Sequence, residues 1–489
     1  MFVVMVASEC SPVAKVGGLA DVVFGLSREL EIRGNAVEII LPKYDCLRYD
    51  HIWDLQVTYH DLWVPWYSGA IRCTVWFGYV HGRKCFFIDP HEPNFFRRGV
   101  CYGYGDDEMR FAFFTKAALE FLLKTGKRPD VLHFHDWQTS LGPVLLYEIY
   151  KYHGMDHCRA CYTIHNFKFQ GVVGYEVLWA TGLGRPWYYG ACDRLRDDFN
   201  PRALNLMKGA LVYSNFVTTV SPRHAWEVRQ TEQGRGLGHQ LHVQGHKFGG
   251  ILNGIDYDVW NPEKDPFLPF PYSVEEPEGK YGNKRALRGR FLLRDAFKPI
   301  VAFVGRLDEQ KGVHLIRHGL FYALSHGAQF VLLGVAPERP INDEFWRLKL
   351  LLNDNPDCHL ELSFNEELSH LVYAGADMLL VPSLFEPCGL AQMIALKYGT
   401  VPIVRGIGGL ADTVFDRDYD PEPVERRNGY VFYEPDETGI ESALYRAIGL
   451  WNSFPEEFRD LSLAGMRCDY SWNHPGQHYL NVYEQIRNR

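Results

Sequence analysis

The chain contains no run of about 18 apolar residues, so no segment reads as a membrane-spanning helix. It has no long stretch of one charge sign and no basic stripe. Its 51 Lys and Arg are set against 60 Asp and Glu, for a net charge of −9, which disfavours a nucleic-acid binder. Cysteines are few: 11, an odd number, scattered along the chain. Only Cys158 and Cys161 form a CxxC, and no second pair follows at zinc-ribbon spacing. Free thiols in a reducing compartment, with this pair structural, are the simplest reading. No basic residues precede the apolar start, Met1–Glu9, which reads as a buried strand rather than a signal peptide. The chain also lacks a G-x-G-x-x-G fingerprint, a Walker A loop and a G-x-S-x-G turn. The dinucleotide, P-loop and serine-hydrolase readings therefore fail on spacing.

What is present is a globular composition. The chain has 489 residues, 46% hydrophobic and 23% charged, enough for two or three domains, each with its own core. It carries 12 Trp, 28 Tyr and 31 Phe. Ring faces suit the apolar face of a sugar, although core filling accounts for most of them.

The N-terminal part alternates strands and helices. Residues 2–7 form an apolar run of strand length. Leu19, Val22, Val23, Leu26 and Leu30 then mark one helix face, and residues 36–41 form a second buried strand. This βαβ unit implies a parallel sheet covered on both faces. Further strands are expected at 131–134, 160–164 and 216–220. Glycines at 234, 236, 238, 245, 249 and 250 suggest a mobile loop. Prolines at 262, 266, 269, 271 and 277 suggest the connection between two domains. The βα pattern resumes with strands at 300–304, 329–333, 378–381 and 401–404. Gly17-Gly18-Leu19-Ala20-Asp21 is echoed by Gly408-Gly409-Leu410-Ala411-Asp412. The expected class is α/β, with two doubly wound Rossmann-like domains facing a central cleft. The first spans residues 1–252 plus a crossover helix at about 473–489, and the second spans 253–472. Ligands of such sheets bind beyond the carboxyl ends of the strands.

Four elements at those ends carry chemistry. Lys15-Val16-Gly17-Gly18-Leu19-Ala20-Asp21 offers close backbone approach, helix N–H groups and a cation, as a phosphate requires. It reads equally as a plain tight turn with a solvated lysine. Gly305-Arg306-Leu307-Asp308-Glu309-Gln310-Lys311-Gly312 places two cations within reach of one diphosphate. Pairing with Asp308 and Glu309 in a charged surface loop is the alternative. Ser383-Leu384-Phe385-Glu386-Pro387-Cys388-Gly389-Leu390 brings a carboxylate and a thiol to a Gly-opened helix start. His133-Phe134-His135-Asp136-Trp137 and Thr163-Ile164-His165-Asn166 each end a strand. His133 and His135 share a strand face with no completed metal shell, so hydrogen bonding to a polar ligand is preferred, with Trp137 as a stacking surface.

Together these elements resemble the bacterial glycogen synthase and plant starch synthase family over essentially the whole chain. Asn253-Gly254-Ile255-Asp256 and Val381-Pro382-Ser383 add to the resemblance. Residues 42–46, 94–99 and 311–318 look most like class III/IV starch synthases. The resemblance implies a GT-B fold and a retaining glucosyltransferase that elongates an α-1,4-glucan from ADP-glucose at its non-reducing end. By position, Lys15, Arg306 and Lys311 would hold the diphosphate. Glu386, His165 and Asp136 would surround the transferred glucose. Gly17, Gly18, Asp21, Cys388, Gly389 and Leu390 would line the donor site, with Phe364 against the adenine. Glu9, Tyr102, Trp137 and Asn166 would lie toward the glucan acceptor. Fixed cations at the phosphate can do the work of a metal, so no metal dependence is expected, and no pyridoxal phosphate and no nucleic-acid or membrane partner are expected either. It implies a bacterial cytosol, or a plastid stroma for a trimmed plant or algal enzyme.

The sequence departs from the family pattern at three places. Ile407 replaces a hydroxyl residue, Ala391 stands where Thr is common, and Ile394 stands where many related transferases carry a second Glu. The Ile407 change keeps a catalytically weakened glucan-binding scaffold in view, and a glucan phosphorylase and a sugar-nucleotide epimerase remain rivals because they share the architecture. No segment matching a pyridoxal-phosphate lysine site is found.

Overall fold

In the computed structural model, which describes residues 1–488, the chain forms two compact units. Among the described residues, the first comprises residues 1–254 and 472–488, and the second residues 255–471. The chain thus passes between units at 254/255 and 471/472.

The strands of the first unit are β1 (Phe2–Val6), β2 (Ala36–Pro42), β3 (Ile52–Trp66), β4 (Gly69–Val80), β5 (Arg83–Pro90), β6 (Val131–His135), β7 (Arg159–Ile164), the short pair β8 (Val172–Val173) and β9 (Leu204–Asn205), then β10 (Phe216–Thr219) and β11 (Phe248–Gly250). Nine of them make one sheet in the order β11-β10-β7-β6-β1-β2-β5-β4-β3. The central strands pair in parallel, with Met5 beside Ile39 on one side and His133 on the other. Their continuous apolar runs follow from burial on both faces. β3, β4 and β5 are antiparallel. β3 alternates exposed and half-buried residues because one face meets water. The first helix, Gly18–Ile32, buries Leu19, Val22, Val23, Leu26 and Leu30, the face expected from their spacing.

The C-terminal helix, Asn473–Arg487, returns to this unit and buries Tyr479, Val482, Tyr483 and Ile486. Gly25 makes the close approach possible. A Cβ there would lie 2.0 Å from Trp472 Nε1. Arg33 completes the joint by donating to Gln477 Oε1 and to Asn473.

The expected mobile loop at 232–250 is instead ordered. It holds a helix, Gly238–Val243, and the edge strand β11. Leu237 and Leu241 anchor it in the core, and apolar anchoring outweighs the flexibility that the glycines confer.

The second unit has strands β12 (Ile300–Arg306), β13 (Gln329–Val335), β14 (Cys358–Glu361), β15 (Met378–Val381), β16 (Val401–Arg405) and β17 (Tyr430–Phe432), ordered β14-β13-β12-β15-β16-β17 and all parallel. β12 extends past its expected end, because Gly305 and Arg306 still pair with Gly334 and Val335. The proline-rich stretch lies wholly in this unit and is not the passage between units. It packs down through buried Leu268 and Tyr272. The Tyr272 hydroxyl donates to the Tyr398 carbonyl at 2.7 Å. The Asp265 carboxylate accepts from the Tyr398 hydroxyl at 2.5 Å and pairs with His370 at 2.6 Å.

Each sheet has one point where the chain leaves a central strand in opposite directions. In the first it lies between β1 and β6, and in the second between β12 and β15. Crevices at such points are where doubly wound sheets bind ligands.

Candidate functional site

The two switch points carry most of the residues singled out in the sequence, whereas Phe364 follows the edge strand β14 and Tyr102 lies in the segment between β5 and the helix Asp107–Lys124. In the first unit β1 runs into Ser8 and Glu9. Glu9 is 4% exposed, and its carboxylate is a strut. Oε2 accepts from the backbone N–H groups of Val16 and Gly17 at 2.7 and 2.9 Å, and Oε1 accepts from the Tyr102 hydroxyl at 2.7 Å. Burial raises the Glu9 pKa and the three donors oppose that rise. This strut shapes the turn that leads into the first helix. There the Lys15 ammonium lies 3.0 Å from the Asp21 carboxylate. A Cβ on Gly17 would meet nothing within 4 Å. Packing inside the chain therefore does not explain that glycine.

β6 ends at His135, and Asp136 opens the next turn at φ +57, a left-handed conformation that Asp tolerates better than most residues. The turn swings its carboxylate over the end of β7. Asp136 Oδ1 accepts from the backbone N–H groups of His165 and Asn166 at 2.8 and 3.3 Å. Desolvation outweighs these bonds and pushes the Asp136 carboxyl up to about 7. Burial holds the His165 imidazole down to about 3, and His133 likewise. These histidines are therefore neutral. His133 spends both ring nitrogens, one on Thr163 Oγ1 at 2.7 Å and one on the Tyr483 hydroxyl at 2.8 Å. Trp137 stays half-buried, edge-on to Phe111. The Asn166 side-chain oxygen accepts from the Lys168 backbone N–H.

In the second unit Arg306 closes β12 with its side chain 50% exposed and 3.5 Å from Asp308. Asp308 also caps the following turn, accepting from the Lys311 backbone N–H at 3.1 Å. The Lys311 ammonium contacts neither Asp308 nor Glu309 but pairs with Glu386 Oε2. The same oxygen accepts from the Ser383 hydroxyl at 2.8 Å. Glu386 is 6% exposed, so a cation beside it offsets the cost of burying its charge. Cys388 is buried, Gly389 takes φ +74, and Leu390 begins the helix Ala391–Lys397. Phe364 stands on an exposed turn before the helix Glu366–Gly375, with 75% of its surface open.

The glycine echo has a steric explanation. Gly408 lies at φ +49, and a Cβ there would fall 1.9 Å from the Glu386 carbonyl oxygen. One on Gly409 would fall 2.1 Å from the Cys388 carbonyl. The Gly409 N–H donates to the Glu386 carbonyl at 3.1 Å. This turn holds the Glu386 loop from behind. Ile407, the departure from the family pattern, is buried in the same turn.

Sequence reasoning missed several supporting roles. The tie from Tyr483 to His133 spans 350 positions and left no local signal. The Ser383–Glu386 bond was legible as a hydroxyl three residues before a carboxylate. Among the described residues, no helix is long and apolar enough to cross a membrane, and no group of three or more His, Cys, Asp or Glu could hold a metal ion.

Known proteins match this arrangement. The model of the starch synthase catalytic domain matches residues 2–243, and that of the glycosyl transferases group 1 matches residues 290–455. Glycogen synthase 1 of Trichormus variabilis is 65% identical over 100% of this chain and 99% of its own. Glycogen synthase 2 of Methylococcus capsulatus is 64% identical over 99% and 100%. The catalytic domain of starch synthase IV from Arabidopsis thaliana, bound to ADP and acarbose, superposes with a TM-score of 0.97 at 43% identity, covering 100% of this chain and 99% of that one. Sucrose-phosphate synthase from Thermosynechococcus elongatus, at 17% identity and a TM-score of 0.62, shares the fold.

Proposed function

The chain belongs to the glycogen and starch synthase family, and from that premise we propose that it moves glucose from ADP-glucose to the non-reducing end of an α-1,4-glucan, with retention at the anomeric carbon. The observation that carries this reading is the Lys311–Glu386 pair at the switch point of the second unit, beside the half-exposed Arg306.

Breaking the anomeric C–O bond leaves negative charge on the β-phosphate and positive charge on the sugar. Fixed cations stabilise the first without reorganisation, and we assign this to Arg306, Lys311 and Lys15. Glu386 and the ionised Asp136 suit the second, and His165 suits a sugar hydroxyl. Gly17, Gly18 and Asp21, with Cys388, Gly389, Leu390 and the open ring of Phe364, are assigned to the donor. Trp137 and Asn166 are assigned to the acceptor. Glu9 and Tyr102 act there through the turn they hold. The departing phosphate accepts the proton of the attacking hydroxyl on the same face. The cations occupy the place of a metal, so no metal or other cofactor is required in this reading. The bacterial relatives support a bacterial cytosol rather than a plastid, with donor and glucan as partners and neither nucleic acid nor membrane.

The test is nucleoside diphosphate release from ADP-glucose and UDP-glucose, with and without maltooligosaccharide, in EDTA. Acceptor-dependent ADP release with chain lengthening supports the proposal. A UDP-glucose preference overturns the donor assignment. Release that EDTA abolishes overturns the metal-free reading. Glucan binding without release from either donor moves the weakened scaffold to first place.

A further inference from the structure

His135 contributes no atom to the roles assigned so far, yet its ring is fully buried against the residue that faces the sugar. Its Nδ1 lies 3.1 Å from His165 Nε2. On the other side its ring packs on His133 with centroids 4.0 Å apart, and His133 is itself pinned by Thr163 and Tyr483. The second nitrogen of His135, Nε2, is buried with no hydrogen-bond partner. The backbone N–H of His135 donates to Thr139 Oγ1 at 2.7 Å, which fixes the end of β6.

This geometry permits two proton arrangements for the neutral pair. In one, His165 donates from Nε2 to His135, and the proton of His135 sits on its orphaned Nε2. In the other, His135 donates from Nδ1 to His165 Nε2, and the orphan is only a lone pair. A buried N–H without an acceptor is the rarer and costlier defect. The second arrangement therefore prevails, and the proton of His165 is left on Nδ1.

We propose that His135 is a positioning residue for the transferase: it fixes His165 in the Nδ1–H tautomer, so that the ring presents a donor to an oxygen of the bound sugar, complementary to the acceptor Asp136. The proposal rests on the transferase reading for its kinetic part and not for its structural part.

The test compares His135→Asn with His135→Leu in the full chain. The two replacements have the same shape, but only Asn returns an N–H donor at the place of Nδ1. A purely structural role predicts equal losses. The positioning role predicts that His135→Leu lowers kcat/KM for ADP-glucose by about tenfold or more, the usual cost of stranding a buried polar partner. His135→Asn stays within about threefold of wild type on the same argument. Long-range 1H–15N spectra of 15N-histidine-labelled protein, with His165 assigned by its loss in His165→Asn, read the tautomer directly. The expected spectrum shows a protonated Nδ1 and a bare Nε2 in the wild type and in His135→Asn, and a tautomer mixture in His135→Leu. A wild-type proton on Nε2, or equal kinetic losses in the two variants, overturns the proposal. A wild type inert toward ADP-glucose overturns the transferase reading, and the spectra still decide the tautomer.

Discussion

Asp136→Asn should separate stability from activity. The Asp136 carboxyl sits near 7 in the folded chain, raised by burial from an ordinary value of 3.8. Between those values the folded state keeps a proton that the unfolded state has released. Stability from this group is therefore greatest at low pH and declines as pH rises from about 4 to about 7. The shift of about three units corresponds to roughly 4 kcal/mol as a ceiling, and partial exposure of the residue reduces this to about 2 kcal/mol. Asn keeps the oxygen that accepts from His165 and Asn166 and abolishes the charge. At pH 8 the variant should melt roughly 4–8 °C above wild type, given about 2–4 °C per kcal/mol for a domain of this size. At pH 4 the two should coincide. Activity should move oppositely. Wild-type kcat/KM, which reports the free enzyme, should rise with pH through about 7 as Asp136 ionises. The variant should lose about 10²–10³ in kcat. Scanning calorimetry and ADP-release kinetics across pH 4–8 provide the check. A variant less stable than wild type at pH 8, or a parallel pH dependence of the two melting curves, would refute the reasoning.

Three further outcomes follow from other contacts. Lys311→Ala should lower kcat by about 10²–10³ while leaving Glu386 without its cation. Adding Glu386→Gln should then recover melting temperature but not turnover, and near-wild-type kinetics in the single variant would refute the assignment. Gly408→Ala places a methyl 1.9 Å from the Glu386 carbonyl in a left-handed turn. Strain and displacement of the Glu386 loop should cost about 1–3 kcal/mol and reduce kcat, and an unchanged melting curve with full activity would count against it. Gly25→Ala drives a Cβ into Trp472. It should increase hydrogen exchange across the C-terminal helix, Asn473–Arg487, with little change around β12–β17, and an unaltered exchange map would exclude that joint.

The parts of the fold that were legible in the sequence are those whose burial writes itself locally. Parallel central strands are apolar on both faces, so β1, β2, β6, β7 and β10 appear as short continuous runs. The first helix shows its face because one side only is buried. The antiparallel ribbon of β3, β4 and β5 was not legible. Its side-chain alternation is broken by register shifts between Trp53 and Gln56, Val57 and Tyr59, and Tyr59 and Leu62. Glycine and proline counts misled in the same way twice. They report freedom or restriction of the backbone, whereas the order of residues 232–250 and 262–277 depends on what Leu237, Leu241, Leu268 and Tyr272 bury.

The site divides along the same line. Lys15, Asp136, Arg306, Lys311 and Glu386, assigned above to the proposed transferase, stood out in the sequence because each follows an apolar strand of a doubly wound sheet, where such folds bind ligands. The contacts that hold them did not, because a support is defined by distance in space rather than along the chain. Glu9 reaches Tyr102 across 93 positions, and Lys311 reaches Glu386 across 75. The echoed glycines show the difference most sharply. In sequence Gly17-Gly18 and Gly408-Gly409 are the same motif. In the structure a Cβ at Gly17 meets open space, whereas Gly408 is pressed against the Glu386 backbone. One turn is open above Gly17 and the other braces the loop of a carboxylate, so the same short motif after a strand answers to two different physical demands.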